Sequence, residues 1–218
     1  MSPLGAAPGL RRFLAPRTDT ATERCELCSV GLGPEHRHLV DVEARSLACA
    51  CLACAILFDR PGAGGGRFRT IPDRYLADPA WHADPVRWKA LNIPVDMAFF
   101  FCNSQLGRVV ALYPSPAGAT ESEVEPAAWE DVFGDSALAR EMEPDVEALL
   151  VRHRDDGGSC HLVPVDVAYQ LVGRLRLHWQ GFDGGAQVHA EVEAFFDDLG
   201  RRAAVVPAVA AGGGNFRE

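Results

Sequence analysis

The sequence has no long apolar run and no excess of positive charge. No uninterrupted hydrophobic stretch approaches the ~18 residues that a membrane-spanning helix requires, so we expect no transmembrane segment. The formal net charge is −9 at pH 7, which argues against general nucleic-acid binding, because that activity needs a basic surface to neutralise phosphates. The first residues, MSPLGAAPGLRRFLAPR, carry no apolar segment behind their basic residues, so no secretory signal is predicted. We therefore expect a cytoplasmic protein.

Recognisable catalytic motifs are also missing. The glycine-rich stretch at 62–66 is not followed by the Lys-Ser/Thr pair of a phosphate-binding loop. Cys160 and His161 are adjacent, and neighbouring residues of a strand point to opposite faces, so they cannot form a thiol–imidazole pair. Cys102 ends a predicted apolar strand and is interpreted as a core residue. One loop, YPSPAGATES at 113–122, stays open as an enzyme site, because loops on rigid scaffolds often carry such sites.

Composition shifts divide the chain into five predicted segments. The hydrophobic fraction of 48% is that of an ordinary globular protein, so a real core is expected. A proline and four glycines break the chain after Arg60 and predict a flexible linker. The predicted segments are a loose leader at 1–22, a cysteine-rich module at 23–60, the linker at 61–66, a main domain at 67–203 and a disordered tail at 204–218.

The main domain shows strands in hairpins with helices between and after them. The apolar run at 95–102 and the stretch at 107–114 predict one hairpin, and 145–154 with 159–166 predict a second. Helical spacing and proline at first helical positions predict four helices, at 85–92, 125–133, 165–179 and 186–202. A further short strand is predicted at 67–72. The fold class is therefore α+β, with a largely antiparallel sheet preceded by a small four-cysteine finger.

Five of the seven cysteines lie between residues 25 and 54. In a cytoplasmic protein thiols stay reduced, so such a cluster indicates metal ligands in preference to disulfide bonds. Cys25 and Cys28 precede a predicted small hairpin. Cys51 and Cys54 follow it, one turn apart at the start of a helix, where both sulfurs can converge and thiolates are favoured. We predict that these four cysteines bind one zinc ion in a closed structural site.

Other ligand sets stay open at this point. Cys49 lies two residues before Cys51, on the same face if both are in an extended strand. It could replace Cys51, or supply a fifth thiol to an iron–sulfur cluster, which also uses four cysteines. His36 or His38 could take the place of one sulfur. A further alternative is that the thiols bind no metal and are simply small buried residues.

Two resemblances add to this pattern. The order of cysteine pair, hairpin and helix-borne second pair over residues 25–58 resembles a treble-clef zinc finger. Over about residues 24–202 the chain resembles an uncharacterised, mainly actinobacterial family encoded among [NiFe]-hydrogenase genes. The stretches that carry this second resemblance are CELC, HRHLVDV, CACLACAILFDR, IPVDMAFFF, GRVVALYPSPAGATES, EPDVEALLV, LVPVD and FFDDL. It implies an accessory or maturation role, with a hydrogenase subunit or maturation factor as the protein partner.

Three functions are therefore compared below. The leading hypothesis is a non-enzymatic, zinc-stabilised accessory protein that binds another protein. The second is an iron–sulfur or iron redox protein that uses the five-cysteine cluster. The third is an enzyme with a site around 113–122.

Overall fold

The computed structural model describes residues 23–206, except 61, 83, 116–117, 155–157 and 182–183. The predicted leader at 1–22 and the tail from residue 207 onward lie outside the described residues. Within the described part, no helix combines the length and the apolar character needed to cross a membrane.

A small antiparallel sheet carries the cysteine-rich segment. Its strands are β1 (Arg37–Asp41), β2 (Ser46–Ala50) and β3 (Phe68–Thr70), in the order β2-β1-β3. The helix α1 (Leu52–Leu57) follows β2, and a 3₁₀ turn at Ala63–Gly66 leads into β3. The strand predicted at 67–72 therefore pairs with the β1–β2 hairpin and not with the main sheet. It does so because β1 has a free edge, where Leu39 pairs with Thr70.

The main sheet has seven strands in the order β10-β4-β9-β8-β5-β6-β7. All neighbours pair antiparallel except β10 with β4. Both predicted hairpins are present, as β5–β6 and β8–β9, and the predicted α+β class with a largely antiparallel sheet is confirmed. The strands are β4 (Leu76–Ala77), β5 (Met97–Asn103), β6 (Arg108–Ser115), β7 (Gly118–Glu123), β8 (Glu147–Arg152), β9 (Ser159–Pro164) and β10 (Ala204–Val205).

Helices cover both faces of this sheet. They are α2 (Pro85–Ala90), α3 (Pro126–Phe133), α4 (Ala137–Glu141), α5 (Val165–His178) and α6 (Gly185–Arg202). Phe99 and Leu150 pack on one face under α5 and α6, whereas Phe100 and Leu149 pack on the other under α2, α3 and α4. Burial on both faces explains why β5 is a continuous apolar run instead of an alternating one.

The small sheet is packed against the main domain. Leu39 of β1 lies in a small core with Cys25 and Cys54, whereas the next residue, Val40, belongs to the core under α5 and α6. Alternate residues of β1 therefore pack into two different cores.

At the other end of the chain, Ala204 donates its backbone N–H to the Tyr75 carbonyl at 2.9 Å. The first residues of the predicted tail thus form the edge strand β10.

Candidate metal centre

Four cysteine sulfurs meet at one point beside the small sheet. The Sγ atoms of Cys25, Cys28, Cys51 and Cys54 all lie within 4.8 Å of one another. The Cys28 and Cys51 sulfurs are 3.7 Å apart. A tetrahedral zinc ion with Zn–S distances of about 2.3 Å places its sulfurs about 3.8 Å apart. The four predicted ligands are therefore brought together at a spacing that suits one tetrahedral ion.

The first pair is held by a tight turn. Ser29 donates its N–H to the Cys25 carbonyl at 2.7 Å, and Cys25 donates its own to the Val30 carbonyl at 2.9 Å. Ser29 adopts a φ of 63°, the left-handed conformation that lets the chain reverse within a few residues. Glu26 then donates its N–H to the Cys49 carbonyl at 2.9 Å. This bond fixes the turn against the edge of β2.

The second pair is held by the start of α1. Cys51 is the N-cap residue, with extended backbone, and its Sγ accepts a hydrogen bond from the Cys54 N–H at 3.4 Å. A side chain at the N-cap satisfies one of the unpaired N–H groups of the first turn. The sequence predicts both cysteines in the first turn of the helix. In the structure Cys51 caps the helix, and Cys54 is its third residue.

The thiols of this group influence one another strongly. Burial acts to raise the pKa of Cys25, but N–H groups of Cys51, Cys28 and Leu27 together lower it to about 6. Burial and the neighbouring thiols raise the pKa of Cys54 to about 12. Crowded thiolates repel one another, and a divalent cation would offset that repulsion. Metal binding would therefore release protons, as expected for a thiolate site.

His36, His38 and Cys49 lie outside the four-sulfur group. They form a cluster of their own, in which one ligand atom from each lies within 4.8 Å of the others. Cys49 does not take the place of Cys51 in the four-sulfur group, because Cys51 caps α1 whereas Cys49 lies in β2 opposite His38. The hydrogen bond that His38 Nδ1 donates to the Asp166 carboxylate is the main cause of the raised pKa of His38.

The remaining cysteines, Cys102 and Cys160, lie in strands of the main sheet and belong to neither group. Cys160 packs in the core under α2, α3 and α4, whereas His161 faces Phe196 of α6 on the opposite side of the sheet. The prediction that these neighbours cannot meet is confirmed. Burial raises the pKa of Cys160 and lowers that of His161 to about 4. Cys102 is half-buried in β5, and its pKa is likewise raised by burial.

The stretch at 113–122, predicted as a loop, consists mainly of the strands β6 and β7. Its residues 116 and 117 lie outside the described ones. The polar alternation of GATESE gave too weak a strand signal, because β7 is an edge strand with one exposed face. Glu121 lines a cavity of about 520 Å³ between the β1–β2 turn and the main sheet. There it accepts a hydrogen bond from Arg45 at 3.2 Å.

The outer face of α1 is unusually apolar. Leu52, Ile56 and Leu57 are 63%, 62% and 68% exposed. The next apolar residue, Phe58, turns inward and packs on Phe68 with ring centroids 5.2 Å apart. The inner side of α1 is occupied by Cys54 and Ala55. We call Leu52, Ile56 and Leu57 the α1 face.

A family model described as "Family of unknown function (DUF5947)" matches residues 24–203. The match spans the four-cysteine centre, the small sheet and the main domain up to the end of α6. No curated protein and no solved structure matched the chain.

Proposed function

The chain belongs to this family of unknown function, and we propose that it is a non-enzymatic accessory protein stabilised by zinc at the four-cysteine centre. We propose further that it binds a protein partner in [NiFe]-hydrogenase assembly or function. The observation that carries the zinc assignment is the convergence of four sulfurs within 4.8 Å. Four protein donors complete a tetrahedron and leave no position for a substrate, as in structural zinc sites.

The same spacing favours a single ion over an iron–sulfur cluster. A cluster of several irons holds the thiolates on different irons apart by its own width, whereas all four sulfurs here lie within 4.8 Å of one another. The fifth thiol, Cys49, belongs to a different group of side chains. The chain therefore offers one ion four sulfurs, without the additional cysteine that the redox hypothesis invokes.

The α1 face supports a protein-binding role. Exposed contiguous apolar side chains on a soluble protein commonly mark interaction sites. Here they lie on a helix whose first turn carries two of the four proposed zinc ligands, so metal binding would hold the face rigid. The link to [NiFe]-hydrogenase rests on the resemblance of the sequence stretches to proteins encoded among hydrogenase genes.

Metal analysis of the full chain tests the zinc assignment. Purified anaerobically, the protein is expected to be colourless and to contain at least one zinc ion per chain, because zinc–thiolate sites do not absorb visible light. Elemental analysis and a visible spectrum measure both properties. Iron accompanied by charge-transfer bands above ~400 nm would instead establish the redox hypothesis, because iron–sulfur centres are the coloured alternative for four cysteines.

The α1 face is tested by replacing two of its side chains with aspartate. Leu52→Asp combined with Ile56→Asp is expected to weaken binding to the purified [NiFe]-hydrogenase at least ~10-fold, because buried apolar anchors dominate interface energies. Calorimetry or surface plasmon resonance measures the dissociation constant. Val86→Asp on α2, at a side chain that is 77% exposed, is the matched control and should bind normally. Equal binding by the double variant would disprove docking on α1, and no binding by the unaltered protein would disprove this partner.

A further inference from the structure

Two histidines and one cysteine converge beside β1, and they share no residue with the four-cysteine centre. His38 and Cys49 are directly opposite each other in the β1–β2 ladder, so their side chains share a face of the small sheet. His36 immediately precedes β1, and its ring centroid lies 4.8 Å from that of His38. One ligand atom from each of the three residues lies within 4.8 Å of the other two.

The hydrogen bonds of the two rings show which nitrogens are available. Nδ1 of His36 lies 3.0 Å from the Gly33 carbonyl, and Nδ1 of His38 lies 3.0 Å from Asp166 Oδ2. Each contact leaves Nε2 as the nitrogen that can bind a ligand. Nε2 of His36 is buried without a hydrogen-bond partner among the described residues, and this side chain is only 8% exposed. A buried, unpaired polar atom is costly, and a bound ion would satisfy it.

Each of the three residues also has a carboxylate beside it. Asp166 contacts His38, and Glu23 Oε2 lies 3.5 Å from Nδ1 of His36. Glu26 Oε1 accepts the backbone N–H of Cys49 at 2.8 Å. A carboxylate bonded to the second nitrogen of a histidine orients the ring for a metal and makes it a stronger donor. Three acidic groups make this corner favourable for a cation.

We propose that His36, His38 and Cys49 form a second metal site, for a divalent ion such as Zn²⁺, separate from the four-cysteine centre. Imidazole and thiolate are the donors that zinc and neighbouring transition metals prefer. Tetrahedral zinc needs N–N and N–S separations of about 3.3–3.6 Å, and one ligand atom from each of the three residues already lies within 4.8 Å of the other two. Three protein ligands leave a fourth position for water or an incoming ligand. This inference does not depend on the proposed function.

The position of the site gives it a structural consequence. His38 and Cys49 belong to the small sheet, whereas Asp166 is in the first turn of α5 in the main domain. A metal bound by His38 would strengthen the hydrogen bond from its Nδ1 to Asp166. Occupation of the second site would thus couple the small sheet to the main domain.

Zinc stoichiometry of the full-length protein tests the site. Zn²⁺ is titrated in competition with a chromophoric chelator, and bound zinc is counted by elemental analysis. The unaltered chain is expected to bind two ions, whereas Cys49→Ala and His36→Ala should each bind one, with the affinity of the remaining ion unchanged. Cys102→Ala and His82→Ala, which replace the same residue types outside both groups, should still bind two.

Asp166→Asn provides a test that removes no ligand. We expect it to keep two ions per chain but to weaken the second roughly 10–100-fold, as loss of an outer carboxylate does elsewhere. Its folding is checked by circular dichroism, so the inference remains testable if a ligand variant does not fold. A single zinc ion in the unaltered chain, or two ions of unchanged affinity in Cys49→Ala, would overturn the proposal. Loss of the four-cysteine ion from Cys49→Ala but not from Cys51→Ala would overturn the division into two sites.

Discussion

Replacing Cys25 or Cys54 with serine is expected to remove zinc from the four-cysteine centre and to unfold the surrounding segment. The small core around these residues contains only six buried residues in the described part of the chain, and the two cysteines are among them. Such a core cannot stabilise the segment alone. Zinc binding supplies roughly 10–16 kcal/mol in comparable zinc-finger peptides. Elemental analysis, circular dichroism and the soluble yield should therefore all change together.

Two other cysteines serve as controls for these variants. Cys102→Ser and Cys160→Ser should retain the metal, because neither side chain belongs to a ligand group. Cys160 is buried in the main core, so its serine variant should melt at a lower temperature while still binding zinc. The assigned ligand set would be wrong if either control lost its metal, or if Cys25→Ser kept a full complement.

Replacing Arg74 with methionine is expected to destabilise the main domain by about 3–5 kcal/mol. Glu147, at the start of β8, is fully buried. It accepts hydrogen bonds from Arg74 Nε at 2.8 Å and Nη2 at 2.7 Å, and from the Glu143 N–H at 2.9 Å. The hydrogen bonds that Arg74 donates to Glu147 raise the pKa of Arg74. Without the guanidinium, a carboxylate stays buried with no opposite charge, which is the costly half of a broken buried pair.

Chemical denaturation and thermal melting measure this loss. In Arg74→Met combined with Glu147→Gln, at least half of the lost stability should return, because the uncharged amide needs no counter-ion. Arg87→Met is the matched control, since Arg87 forms an exposed pair with Asp131 at 3.7 Å, and it should cost less than ~1 kcal/mol. An effect of Arg74→Met as small as that of Arg87→Met would contradict the account.

Local patterns predicted the elements whose signals are strong along the chain. The apolar run of β5 and the stretch that forms β6 stand close together with a short turn between them, so their pairing followed from sequence distance alone. The helix α2 begins with Pro85 after the N-cap Asp84, as its start signal predicts. The four-cysteine centre was predictable because each pair is a short-range feature: a tight turn at Cys25–Cys28 and a helix start at Cys51–Cys54.

Elements with short or polar sequences could not be predicted in this way. The strand β4 has two residues and β10 has two, too few for any periodicity to appear. They form because Tyr75 and Ala77 offer backbone carbonyls to Ala204 and Val206, more than a hundred residues further along the chain. The exposure of the α1 face was hidden for a related reason: apolar residues on a helix indicate burial only if another element covers them.

The sequence by itself determined the α+β class, the two main hairpins and the four cysteines as one candidate ligand set. Those features depend on contacts within about thirty residues, where spacing constrains geometry. The register of the β1–β2 hairpin places His38 opposite Cys49, but only the tertiary structure decided that Asp166 joins the group of His36, His38 and Cys49. Capping of α1 turns Cys51 away, and α5 brings Asp166 to His38 across 128 positions of sequence. A contact at that separation leaves no local pattern, because it depends on how the small sheet packs against the main domain.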